Sequence, residues 1–168
     1  MKAMKLGSET GSFFNHLMSN NNSIPEVGKG ATILYWTDRE AYEVIEVSND
    51  GKEYKIQRYN AKRVDKLGMS DSQEYEYKEL TNEVRDLIFR NGSWHFNMNE
   101  IVFTKEFLST CITKYSVVLN LTKEQREDIY QGDAFPQKVV PGITRMKKVY
   151  PKVNILFGVK KEYYDYSF

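Results

Sequence analysis

From residue 31 to residue 98 the apolar positions come in short runs, often alternating with polar ones, and turn residues separate the runs. Residues 31–36 form one run, ended by the charged Asp38-Arg39-Glu40. Residues 42–47 are rich in β-branched side chains, which suit a pleated strand. Asn49-Asp50-Gly51 follows, and Asp-Gly readily takes the positive φ angles of a tight hairpin turn. Over residues 53–59, Tyr54 and Ile56 fall on one face and Lys55 and Gln57 on the other. Gln73, Tyr75 and Tyr77 alternate in the same way with Glu74, Glu76 and Lys78. Residues 87–90 and 93–96 flank Asn91-Gly92, the strongest hairpin signal in the chain. Residues 153–159 and 162–167 read as closing strands. Strands this short, at roughly 10–15-residue spacing, predict a small antiparallel barrel or sandwich, and an SH3-like barrel is the leading expectation.

The period changes on either side of those runs. Phe13, Phe14, Leu17 and Met18 sit at helical spacing in an otherwise polar lead-in, residues 1–30, which Pro25, Gly28 and Gly30 end as a loop. That short helix fits a lid on the core better than an exposed docking peptide. In residues 99–152, Phe107, Leu108, Cys111, Ile112, Tyr115, Val118 and Leu119 recur at helical spacing. Tyr115, Val117, Leu119 and Leu121 also alternate, so the second half of that segment stays open between helix and strand. Thr122 with Gln125 fits a capping box and Gly132 a stop, so residues 122–131 are predicted helical. Pro136, Pro141-Gly142 and Pro151 predict extended or looped chain beyond it. The expected class is therefore α+β and mainly β: a barrel over 31–98 and 153–168, with 99–152 as a helical and looped insertion.

Composition adds limits. Twenty-four basic and 23 acidic side chains leave a net charge of +1, which excludes a globally basic nucleic-acid coat. Charge is uneven, however. Residues 69–100 carry three basic and seven acidic side chains, and residues 101–152 carry nine and five. From residue 134 to 161 there is no acid at all, and Lys138, Arg145, Lys147, Lys148 and Lys152 lie there with Tyr150 among them. Cations for phosphates and a ring for an unpaired base are what a nucleic-acid contact needs. Edge lysines that keep strands from aggregating are the plainer explanation. No apolar run is long enough to span a membrane, and the first ten residues lack the apolar core of a secretory leader. The one cysteine, Cys111, cannot form an internal disulfide, so a cytoplasmic setting suits the chain.

Candidate chemistry is sparse. The two histidines, His16 and His95, are too few for a His/Cys zinc site. His95, between Trp94 and Phe96, reads as a strand residue facing solvent or a satisfied pocket. Cys111 lies on an apolar helix face and reads as an inert thiol. Asp38-Arg39 reads as a turn anchor ahead of a carboxylate or phosphate binder, and Ser70-Asp71-Ser72 as turn chemistry. No phosphate loop, dinucleotide fingerprint, zinc-protease or nucleophile-elbow motif is present. No metal, no cofactor and no catalytic function is expected.

Several short motifs follow one another along the chain: Trp36-Thr37-Asp38-Arg39, Gly68-Met69-Ser70 with Gln73, Tyr75 and Tyr77, Asn91-Gly92 with Trp94, and the closing Tyr163-Tyr164-Asp165-Tyr166-Ser167-Phe168. In that order they resemble a family of small uncharacterised proteins of tailed bacteriophages and prophages. The resemblance covers residues 12–98 and 153–168, and singles out Trp36, Asp38, Arg39, Ser70, Gln73, Trp94 and Asp165. It implies a genomic setting and no particular chemistry. Residues 99–152 depart from the pattern as an insertion. Together these readings predict a non-catalytic accessory binding module in the host cytoplasm, contacting a host or phage protein and no membrane. A nucleic-acid binder using the basic stretch and a virion or assembly component are the alternatives. The aromatic strands, with Trp36, Tyr42, Tyr54, Tyr75, Tyr77 and Trp94, are expected to fill or pave the barrel. The terminal aromatic strand is expected to close it.

Overall fold

The computed structural model describes residues 24–111 and 114–166. The helix expected over residues 12–18, with His16, lies outside them. By contacts the chain divides into two compact units. One takes the described residues up to Asn97 and those from Tyr150 onward, and the other is Met98–Val149.

The first unit is the mainly β barrel that the strand pattern predicts. Its strands are β1 (Gly30–Leu34), β2 (Arg39–Val47), β3 (Glu53–Arg63), β4 (Tyr75–Arg90), β5 (Ser93–Phe96) and a late strand, β8 (Asn154–Phe157). They form one antiparallel sheet in the order β5-β4-β3-β2-β1-β8. The chain just ahead of β8 then meets β5. The Val153 amide donates to the Trp94 carbonyl at 3.0 Å and the Phe96 amide to the Pro151 carbonyl at 2.9 Å. An antiparallel bridge joins His95 to Lys152 between them. The sheet thus curls nearly shut, which leaves few unpaired edge groups.

Alternation places the core. Ala31 and Ile33, Tyr42 and Val44, Tyr54 and Ile56, Leu87, and Val153, Ile155 and Phe157 all point inward. Trp94 lines the same interior, with its ring 4.9 Å from Tyr54, 5.0 Å from Phe89 and 5.1 Å from Phe157. Turn chemistry fixes the register. Asn91 and Gly92 both take positive φ, 50° and 74°, as a two-residue hairpin between β4 and β5 requires.

The structure departs from the sequence pattern in five places, one of them the two strands, Met98–Phe103 and Thr144–Val149, of the second unit. Residues 75–77 and 87–90, read in separate strands, belong to the single 16-residue β4, which bulges of its own against β3 help to bend, and Gln73 lies ahead of it. Trp36, expected in or on the barrel, is 60% exposed beyond the end of β1. Residues 162–166 are not a barrel strand, and the last two residues of the expected closing strand lie outside the described residues. β8 pairs with β1, and Tyr163 makes only one bridge, to Arg39. Cys111 is half-buried rather than buried, with its thiol against the Phe107 carbonyl at 3.5 Å.

Thr32, fully buried on the outer face of β1, donates to the Val159 carbonyl at 2.8 Å and accepts from the Lys161 amide at 3.0 Å. Gly30 lies so close to this segment that an added Cβ would stand 2.8 Å from the Lys160 amide nitrogen. Backbone cannot swing aside as a side-chain tip can. Gly30→Ala is expected to destabilise the barrel by about 1–3 kcal/mol, the usual range for overpacking, in a urea melt. An unchanged midpoint would show that the segment yields.

The second unit pairs β6 (Met98–Phe103) with β7 (Thr144–Val149) in a two-stranded antiparallel sheet. Between them lie α1 (Lys105–Ser109), a 3-10 helix (Lys114–Asn120) and α2 (Lys123–Tyr130). The stretch left open between helix and strand is the 3-10 helix. α2 and its capping box are as the sequence pattern predicts, with Gln125 and Thr122 bonded reciprocally at 3.2 and 2.9 Å. Val117, Leu121, Ile129 and Thr144 form the buried centre. β6 and β7 carry no alternating apolar signal, so neither strand was predicted within 99–152. They are strands because each is the other's pairing partner.

Candidate functional site

Two regions gather chemistry, one in each unit. In the barrel unit, residues 160–166 run as a strap over β2, β3 and the loop before β4. The Glu162 carboxylate takes both guanidinium nitrogens of Arg58, at 2.6 and 3.0 Å, and the Ala41 amide at 2.8 Å. Arg39 and Tyr163 exchange backbone hydrogen bonds of 2.9 and 3.1 Å. The Gln73 side-chain amide acts like a strand neighbour. It accepts from the Tyr164 amide at 3.0 Å and donates to the Tyr164 carbonyl at 2.6 Å. Asp38 accepts from the Asp165 amide at 2.7 Å, and Arg63 donates to the Tyr166 hydroxyl at 2.8 Å. Ser70 accepts from the Ser72 amide at 3.1 Å and so shapes the loop carrying Asp71, which takes the Tyr163 hydroxyl.

Four of the motif residues, Asp38, Arg39, Gln73 and Asp165, therefore meet at one place, where they hold the strap. Trp94 is in the core and Trp36 is exposed, so those two do not join them. Asp38-Arg39 anchors a distant segment as well as its own turn. Beneath the strap, Glu40 accepts from the hydroxyls of Tyr35 and Tyr42 at 2.7 and 2.8 Å, and Arg85 pairs with Glu83 at 2.6 Å. A cleft of about 410 Å³ opens among Tyr35, Arg39, Glu40, Arg58 and Glu162. Burial, then the bond to Glu40, pushes the Tyr35 phenol up to about 12. Burial and Glu40 push Tyr42 higher still. Both phenols stay protonated at neutral pH. The bidentate bond from Arg63 and the amides of Glu74 and Leu67 hold the Asp65 carboxyl well below the usual carboxylate range. This cluster is a chain of paired charges and neutral phenols, suited to fastening.

His95 behaves as its neighbours suggest. One ring nitrogen is 2.8 Å from the Tyr150 carbonyl and the other 3.0 Å from the Ser93 hydroxyl. Among the described residues no group of three or more His, Cys, Asp and Glu gathers as a metal site. No described helix is long and apolar enough to cross a membrane.

In the second unit an open groove of about 800 Å³ runs along β6. All six residues of β6 line it, with Leu108, Tyr130, Ala134, Phe135, Pro136 and Gln137. Phe103 lies between Phe107, at 5.6 Å, and Tyr130, at 6.4 Å. Phe135 is 72% exposed at the rim. The sequence pattern missed this groove, because β6 was not recognised as a strand. The signal it did carry was Phe135-Pro136, an aromatic held in a fixed loop.

The basic stretch is divided between the two units. Lys138 is paired to Asp128 at 2.5 Å. Arg145 and Lys147 share one face of β7, and Lys148 lies on the other. Lys147 has Glu100 as its register partner. Tyr150 and Lys152 belong to the barrel unit, where the Arg90 guanidinium lies 4.3 Å from the Tyr150 ring centroid. No family model, no curated protein and no solved structure matches this chain.

Proposed function

We propose that the chain is a non-catalytic accessory binding module of the tailed-bacteriophage type, contacting a host or phage protein in the host cytoplasm. The observation that carries this reading is the apolar groove along β6, with Phe135 exposed at its rim. Solvent-exposed apolar patches of this kind mark interaction surfaces. Its volume lies within the range of roughly 300–1,000 Å³ typical of ligand sites. Protein suits it better than nucleic acid. The groove's walls are mostly apolar, Glu100 is its one charged lining residue among the described residues, and the cations of residues 138–152 are divided between the faces of β7 and between the units. The strap cluster supports the same reading from the other side, since its charged groups are fastened to each other.

The test is affinity capture with immobilised full-length chain from nuclease-treated host or infected-cell extract. Phe135→Lys places a charge in the groove without touching the buried centre. Arg145→Glu with Lys147→Glu inverts the ribbon's positive face. The expected result is a discrete protein retained by the unaltered chain and by the charge-inverted variant, and lost with Phe135→Lys. Retention that ignores Phe135 but ends with nuclease or charge inversion would move the function to nucleic acid.

A further inference from the structure

We infer that the groove receives an extended segment of the partner as a third strand on β6, with an apolar side chain at every second residue and a basic one beside Glu100. This rests on the reading above that the groove is the protein-binding surface.

The backbone register specifies the contact. Thr104 lies opposite Ile143 in the continued register, and its amide donates to the Ile143 carbonyl at 2.9 Å. That makes the pair a hydrogen-bonded one, and such pairs alternate along an antiparallel ladder. Val102, Glu100 and Met98 therefore bond to Arg145, Lys147 and Val149. The amides and carbonyls of Asn99, Ile101 and Phe103 point the other way, along the outer edge of β6. Among the described residues that edge has no pairing strand.

β6 also lacks the features by which edge strands repel other chains. It has no proline and no bulge, and one charge in Met-Asn-Glu-Ile-Val-Phe. β7 carries three basic residues in six. An added strand is held by main-chain bonds, and pockets for alternate side chains select its sequence. Here Leu108, Tyr130, Phe135 and Pro136 supply the apolar pocket.

The occupant is a single chain. The groove is lined by β6 and the loop of residues 134–137, and the outward backbone groups of Asn99, Ile101 and Phe103 serve one added strand. Charge sets its sign. Among the described residues Glu100 is the only charged side chain lining the groove, it is exposed, and it makes no ion pair with Lys147, its register partner on β7, so it can take a second cation on its open side. A lysine or arginine opposite it is favoured and an acid is disfavoured.

The experiment is fluorescence anisotropy of the full chain with labelled, end-blocked nonapeptides. One alternates valine and lysine, one valine and glutamate. Two further lysine peptides carry backbone N-methyl groups, each on one of the two alternating sets of nitrogens. The lysine peptide is expected to bind at least about tenfold tighter than the glutamate peptide, and Glu100→Lys to reverse the order. N-methylation of one set is expected to weaken binding by about tenfold or more, and of the other by less than about twofold, since only one set faces β6. Equal effects of the two methylated sets, a charge preference indifferent to Glu100→Lys, or no binding of any peptide each overturn strand addition. Should Phe135-dependent protein capture survive in that event, the groove remains a protein site and only the mode of binding fails. Capture that does not depend on Phe135 removes the parent reading itself.

Discussion

Replacing Trp94 by alanine is expected to cost about 3–5 kcal/mol, the usual range for removing a packed aromatic side chain. At roughly 2–4 °C per kcal/mol for a chain of this size, the melting temperature falls on the order of 10 °C. Trp94 touches Tyr54 of β3, Phe89 of β4 and Phe157 of β8, so it joins strands from both ends of the sheet order. Its own carbonyl accepts the Val153 amide at the point of closure. Trp94→Phe keeps a ring in that space and is expected to recover about half or more of the loss. A Trp94→Ala variant that melts like the parent would mean that closure does not depend on this cluster.

Glu162→Ala is the second large effect. It leaves the Arg58 guanidinium without its bidentate partner and the Ala41 amide without its acceptor. Removing one member of a fully buried pair costs ~3–5 kcal/mol, and partial solvation here lowers that to about 2–3 kcal/mol. The two side chains are 17% and 14% exposed, which keeps the pair well inside the regime where loss of a partner matters. Glu162→Gln restores a hydrogen-bond acceptor without the charge and is expected to fall between the two. Thermal melts give the size of the effect. Amide exchange gives its place, since Arg39 and Tyr163 share backbone bonds and should exchange faster together in the variant. Faster exchange spread evenly through the barrel would instead make Arg58–Glu162 a general stabiliser with no special hold on the strap.

The barrel was legible because its strands carry their signals locally. Tyr54 and Ile56 alternate with Lys55 and Gln57, and Asn91-Gly92 requires a tight turn wherever it is placed. The capping box at Thr122 is equally local. What escaped was decided by partners far off in sequence. Thr144, Arg145, Met146, Lys147, Lys148 and Val149 have no strand pattern of their own and are a strand only because β6 lies beside them. Residues 162–166 look like a strand by alternation. Side chains from Asp38, Arg58 and Gln73 take most of their bonding, so they lie as a strap with one bridge. The motif order drew attention to Asp38, Arg39, Gln73 and Asp165 without revealing that they share one strap, with Asp38, Arg39 and Gln73 bonded to successive residues of 163–165. The basic stretch was legible as charge, while its division between two units and the two faces of β7 was not. Alternation along β7 sends Arg145 and Lys147 to one face and Lys148 to the other, and Lys138 turns to Asp128.

The most direct measurement is nuclear magnetic resonance of isotope-labelled full chain in unlabelled host-cell extract, before and after nuclease. The amide signals of Asn99, Ile101, Phe103 and Phe135 are predicted to shift or broaden selectively, to do so whether or not nuclease is added, and to stay put in the Phe135→Lys variant. Changes confined to Arg145, Lys147, Lys148 and Lys152 that vanish with nuclease, or no selective change along β6, would contradict a protein-binding groove at that edge.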